Sequence, residues 1–304
     1  MLRLTTLLVA LLASGAGVAA TLEVGPERAY PTLEAAARAA QDGDHVRIAA
    51  GEYLECAFWT ADNLVIEGTG KPEDTVISDL ACGDKALFVV TGNNITVRNM
   101  TLSRVRVADG NGAGIRMEGR DVTVEHVVFF NNQTGMLVAS RPDSTVIIRD
   151  SAFIRNGGCA PGCANGLSVG DVAALRIERS RFEGTRFGHQ IAARARVTEI
   201  AGCDITDGAA GNSSHLIDLG NAEQIVLRGN RLQKGVNSEN HAAAVWIAAG
   251  GKGGGEIVVR DNTFQSDGPW RTVFVVNRTG MAARLSGNEV TGRVRLLEGF
   301  GQVE

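Results

Sequence analysis

Short alternating segments recur along this chain, each closing on a bulky apolar residue. "VRNMTL" ends at Leu102, "VEHVVF" at Phe129, "IRDSAF" at Phe153, "IERSRF" at Phe182, "IAGCDI" at Ile205, "LRGNRL" at Leu232, "VRDNTF" at Phe264 and "LSGNEV" at Val290. Successive anchors lie 27, 24, 29, 23, 27, 32 and 26 residues apart, an interval that marks stacked repeats. Period-two alternation turns one face of each segment toward a core. Asn131, Asn156, Gly184, Gly208, Gly235, Gly268 and Gly292 follow the anchors, and such residues accept the left-handed backbone of a sharp corner. A second short apolar segment comes next, as in "GIRM" from 114, "GMLV" from 135, "GLSV" from 166, "HQIA" from 189, "HLIDL" from 215 and "AVWI" from 244.

Strands this short, with no helix between them, cannot make an open parallel sheet, because its neighbouring strands need crossover connections. A coiling chain avoids that need by stacking each strand on the same strand of the next coil. The pattern therefore predicts an all-β, single-stranded parallel β-helix. The repeats, of which "NNITVRNMTL" and "VRDNTF" are good examples, resemble those of right-handed parallel β-helix proteins of the pectate-lyase-like superfamily, across nearly the whole chain after the leader. The stretch "YPTLEAAARAAQDGDHVRIAAGEYLE" is similar to the opening of such solenoids, a capping helix followed by a Gly-Asp turn and the first strand. Leu33, Ala36, Ala37 and Ala40 give that helix one apolar stripe, with Pro31 in its first turn, so that it can plug the open end of the coil. Residues 21–60 read as cap and first coil of a single domain, 21–304. "RVRLLEGFGQVE" after Val290 reads as a last coil.

Residues 1–20, "MLRLTTLLVALLASGAGVAA", place one arginine before an apolar run that ends in small residues, the pattern of a secretory signal peptide. A periplasmic or secreted location follows, and no later stretch is long and apolar enough for a membrane span. With Arg3 removed, 29 basic residues face 34 acidic ones, so 29 − 34 = −5. Such a balance excludes nucleic acid held by bulk charge, and a monomer is expected. In an oxidising compartment, Cys159 and Cys163 around an "APG" turn are the first disulfide expected and Cys56 with Cys82 the next. Cys203 is left over inside a repeat phrase, as a small buried hydrophobe.

His189, His215 and His241 stand at or just before the second strand of three consecutive coils, 26 residues apart each time, and so predict a column of imidazoles about two rungs tall. If Ile191, Ile217, Leu219, Val245 and Ile247 point inward, then Ala192, Asp218 and Trp246 point outward, with Arg194 on the same side. Glu239, Trp270 and Arg271 come from adjoining loops. Carboxylate, guanidinium, imidazole and indole on one face suit a polysaccharide. Two plainer readings compete with a catalytic one: a histidine ladder that only bonds the backbone of the next rung, and a metal site on the stacked imidazoles. No cofactor is specified by the sequence, and a calcium ion at Asp218 stays open.

Many proteins of the resembled kind act on acidic polysaccharides along the outer face of one parallel sheet. In the uronate lyases among them a cation or arginine neutralises the carboxylate beside C5, a base removes the C5 proton and the C4–O bond breaks. This chain lacks the paired aspartates and Gly-His-Gly of polygalacturonases, having Gly188-His189-Gln190 alone. It carries only "VWIA", 245–248, where pectate lyases have Val-Trp-Ile-Asp-His, and it has no Asp-Pro-His of mannuronan epimerases. Hydrolysis is disfavoured, since it needs two flanking carboxylates. The resemblance implies a lyase or epimerase on uronate glycans, and coil spacing with strand parity nominates His189, Arg194, His215 and Asp218 as catalytic and Glu239, His241, Trp246, Trp270 and Arg271 as substrate-binding. The alternative is a non-catalytic solenoid that binds glycans or supports a cell surface.

Overall fold

The computed structural model describes residues 19–159, 162–248, 250 and 254–304, so the leader read at 1–20 lies almost wholly outside the described residues. The chain winds as a parallel β-solenoid with three ladders. One runs from Thr21–Val24 to Gly301–Val303 and a second from Gly51–Tyr53 to Glu289–Thr291. Both belong to a single 20-stranded sheet, because the nine-residue strands Ile95–Ser103 and Val122–Phe130 pass through the corner and pair with strands of both ladders. The third ladder is a separate 10-stranded sheet from Ala57–Trp59 to Val294–Gly299.

Parallel register stacks like upon like. Phe129 pairs with Phe153 and Phe153 with Phe182, their rings stacked 4.4 and 4.6 Å apart in nearly parallel planes, and Ile205, Leu232, Phe264 and Val290 continue the column. The helix Leu33–Ala39 is capped by Thr32, whose hydroxyl accepts the Ala35 N–H, and it buries Leu33, Ala36 and Ala37 in the same core. Pro31 therefore precedes the cap instead of lying in the first turn. The segment after Val290 forms the last coil, paired on Thr272–Asn277 and Ala283–Leu285.

Corners are left-handed at Asn131, Gly184, Gly208 and Gly292, as expected, but not at Asn156, Gly235 or Gly268. Arg155 takes the left-handed place beside Asn156. Asn156 instead buries its amide, accepting the Asn132 N–H and donating to the Phe129 carbonyl. Asn230, Asn262 and Asn288 repeat the device on later coils. These side chains satisfy backbone groups that the corners would otherwise leave buried and unpaired.

Cys56 pairs with Cys82 across one coil, Cα atoms 5.5 Å apart, and Cys159 pairs with Cys163 across a small antiparallel hairpin. Cys203 is free and buried, and burial raises its thiol to about 11. Among the described residues no helix is long and apolar enough to cross a membrane.

Candidate functional site

The outward face of the 10-stranded sheet holds the site. Ala192, Asp218 and Trp246 occupy one outward column in register on successive strands, as alternation requires. Three residues before Asp218 comes His215, and three before Ala192 comes His189. Their rings stack with centroids 5.1 Å apart and planes within 6°. His241 breaks the expected column. It lies five residues before Trp246, so in structural register it is displaced by two, and it packs on Trp270 at 3.8 Å instead. Trp246 takes the third place, 5.6 Å above His215 and parallel to it.

The hydrogen bonds fix what each imidazole can do. His189 Nδ1 accepts the backbone N–H of His215 at 3.1 Å, just as Asn165 Oδ1 accepts that of His189 at 2.8 Å. The ladder reading is thus correct for one nitrogen of His189. Its Nε2 then carries the proton and faces Asp218 Oδ2 at 4.0 Å. For His215 the arbiter is Asn240. The Asn240 carbonyl oxygen accepts the Ala242 N–H at 2.8 Å, so its NH₂ donates to His215 Nε2 at 2.7 Å. The His215 proton therefore sits on Nδ1, 3.5 Å from Asp218 Oδ2.

Both rings bring a nitrogen to within 3.5–4.0 Å of one carboxylate without an aligned hydrogen bond, His215 Nδ1 having no partner, and Arg194 brings a third nitrogen. Its Nη1 lies 2.6 Å from Asp218 Oδ1, although its N–H directions favour the Ala193 and Asp218 carbonyls and leave Oδ1 without an aligned bond. Burial pushes Asp218 up, but His215, His189 and Arg194 outweigh it and hold the carboxyl below its usual value. For His189 burial wins over the nearby carboxylate and lowers the imidazole to about 4. Arg194 keeps 44% of its side chain exposed while Asp218 keeps only 10%, so the guanidinium is the group a ligand meets first.

His189, His215 and Asp218 bring ligand atoms within 4.8 Å of one another, but their outer bonds do not fit a metal. A metal-bound imidazole carries its proton on the far nitrogen, and here both far nitrogens already accept from donors. Calcium asks for six to eight oxygens, and the cluster offers one carboxylate.

Sequence reasoning missed three participants. Asn240 immediately precedes His241, and only the displaced register brings it to His215. A Cβ at Gly220 would lie 2.8 Å from Arg194 Cδ, so a side chain there would displace the Arg194 side chain. The place of Gly220, one rung after Arg194, was readable. Arg278 lies 5.2 Å over the Trp246 ring and bonds Glu298. The indoles are correspondingly less open than expected. His215 and Arg278 flank Trp246, while Trp270 rests on Gly268 and His241. Glu239 and Arg271 are exposed beside the face. A groove of about 530 Å³ on the second ladder, lined by Glu183, Asp204, Arg231, Gln233 and Asp267, contains no imidazole. Its Asp267 is already held by Gln233 and Gln265.

A family model described as the right handed beta helix region matches residues 58–205. No curated protein resembles the chain in sequence. Among solved structures, the ORF18 protein of Geobacillus virus E2 superposes with TM-score 0.60 at 12% identity over 86% of this chain, which spans 54% of the viral one. A pectate lyase superposes with TM-score 0.52 at 13% identity, covering 94% of this chain and 80% of that one. An alginate lyase from Paenibacillus sp. str. FPU-7 does so with TM-score 0.52 at 14% identity, covering 93% and 99%. At such identities the likeness is one of fold. The chain has the right-handed parallel β-helix fold that the family model describes and these solved structures share.

Proposed function

We propose that this is an exported, monomeric β-helix enzyme that cleaves or epimerises uronate-containing polysaccharide at the face formed by His189, Arg194, His215 and Asp218. One observation carries the reading. Asp218 lies 3.5 Å from His215 Nδ1, which has no other partner, while His215 Nε2 is turned toward Asn240, and a small closing movement would let the carboxylate orient the imidazole as base. Arg194, beside it and accessible, suits a sugar carboxylate held bidentately. With that carboxylate neutralised, Nε2 of His215 takes the C5 proton once the Asn240 amide gives way. The electron pair left on C5 then forms the C4–C5 double bond as the C4–O bond breaks, and the leaving oxygen takes a proton from water, whose hydroxide is neutralised by the proton held on the imidazolium. Return of a proton to the opposite face of C5 gives the epimer instead. Asp218 stabilises the imidazolium formed in either case. His189, with one nitrogen committed to the backbone, is the donor that helps hold Asp218.

Export rests on the leader reading, and the two disulfides are compatible with it. The pectate lyase and alginate lyase neighbours make acidic glycans the first substrates to try. Incubation with a panel of uronate polymers, followed by absorbance of the unsaturated product and by NMR for C5 inversion, tests the reaction. His215→Ala is expected to lower turnover by about 10²–10⁴-fold. Because His215 is buried, His215→Gln serves as the companion variant that keeps volume. Glycan binding without either product, equal in wild type and variants, would establish the non-catalytic solenoid instead.

A further inference from the structure

Phe187 is the one apolar side chain among the described residues, glycine aside, with a left-handed backbone, at φ 59. A bulky residue rarely adopts that conformation, which costs free energy unless the surroundings impose it. Here they impose it at every step. Arg186 donates its N–H to the Asn156 carbonyl, Phe187 to Asn212 Oδ1, His189 to Asn165 Oδ1 and Gln190 to the His215 carbonyl. The Thr185 hydroxyl bonds the Gln190 side chain across the loop. Gly188, also left-handed, has no room for a Cβ, which would fall 2.2 Å from the Ala164 carbonyl. A loop clamped this way could hold asparagine or glycine at 187 with less strain.

The side chain remains 39% exposed. Strain held in place and an apolar surface left partly in water are two costs. Both fall two residues before His189. The tryptophans on the same face are half-buried, Trp246 between His215 and Arg278 and Trp270 against Gly268 and His241. Phe187 keeps more than a third of its surface open, on the corner that leads into His189.

We propose that Phe187 is the sugar-stacking platform of this site, engaging the apolar face of a pyranose next to the one whose carboxylate meets Arg194. This rests on the uronate reading of the same site and adds the residue that holds the neighbouring sugar. The test compares wild type, Phe187→Gly and Phe187→Trp in affinity gels containing polygalacturonate or alginate, with thermal unfolding midpoints measured in parallel. Phe187→Gly is expected to bind whichever polymer the wild type binds about tenfold more weakly while its midpoint stays level or rises. Phe187→Trp is expected to retain binding. A Phe187→Gly protein that binds as wild type overturns the platform, and if Arg194→Ala still loses binding, the uronate reading survives it. A variant that loses midpoint and keeps affinity shows that the ring packs. A wild type retarded by neither polymer overturns both the platform and the reading on which it rests.

Discussion

Lowering the pH from 7 toward 4 should destabilise this protein through His189, and His189→Asn should abolish that slope without unfolding the chain. Burial lowers the folded imidazole from 6.5 to about 4. Between those values the unfolded chain binds a proton that the folded one refuses, so stability is complete above 6.5 and is lost as pH falls toward 4. The two pKa values give a loss of about 1.4 kcal/mol at pH 5.5 and about 2.5 kcal/mol at pH 4.5. Asp218, also depressed, acts in the same direction but only below the ordinary carboxylate range near 4. His241, lowered by burial and then by Lys234, contributes equally to wild type and variant, so the comparison cancels it. Asparagine can replace the acceptor, because Asn165 already receives the His189 N–H one rung earlier. At pH 7 the His189→Asn protein should thus lie within about 1 kcal/mol of wild type. His189→Ala, which leaves the buried His215 N–H unpaired, should lose about 1–3 kcal/mol. Urea unfolding at pH 7, 5.5 and 4.5 measures all three. Parallel pH dependences for wild type and His189→Asn would refute the reasoning.

Gly220→Val places a branched side chain where Arg194 now crosses; uronate affinity should fall several-fold with a small change in thermal midpoint, and unchanged affinity would show that the Arg194 pose is not needed. Thiol titration of denatured, unreduced protein should find one reactive group, Cys203, since Cys56–Cys82 and Cys159–Cys163 are bonded; three or five would contradict the pairing.

The fold was legible because a solenoid writes its register into the chain. Phe129, Phe153 and Phe182 recur at coil intervals and do stack. Outward parity correctly joined Ala192, Asp218 and Trp246. Equal spacing misled for His241, because coil lengths vary at the loops while the strands keep register. The spacing of 26 residues holds from His189 to His215, but Asp218 and Trp246 are paired at 28. Linear counting therefore could not show that Asn240 meets His215. Nor could it show which nitrogen of each ring is free, since that depends on backbone donors from the next coil. Arg278 left no signal of its own in the repeat phrase.

The side-chain ladders that cap each corner also set how far this architecture can be edited. Where asparagine meets asparagine beyond the Asp218 face, from Asn262 to Asn288, the coil presents the same side chain above and below, so a coil could be duplicated or excised there and the seam would close. Between Asn165, His189 and His215 the ladder changes its chemistry at each step, and Asn240 arrives from one coil further on. The face around Asp218 is therefore a module of four consecutive, non-interchangeable coils set in a scaffold of variable length, and length can drift during descent without disturbing it.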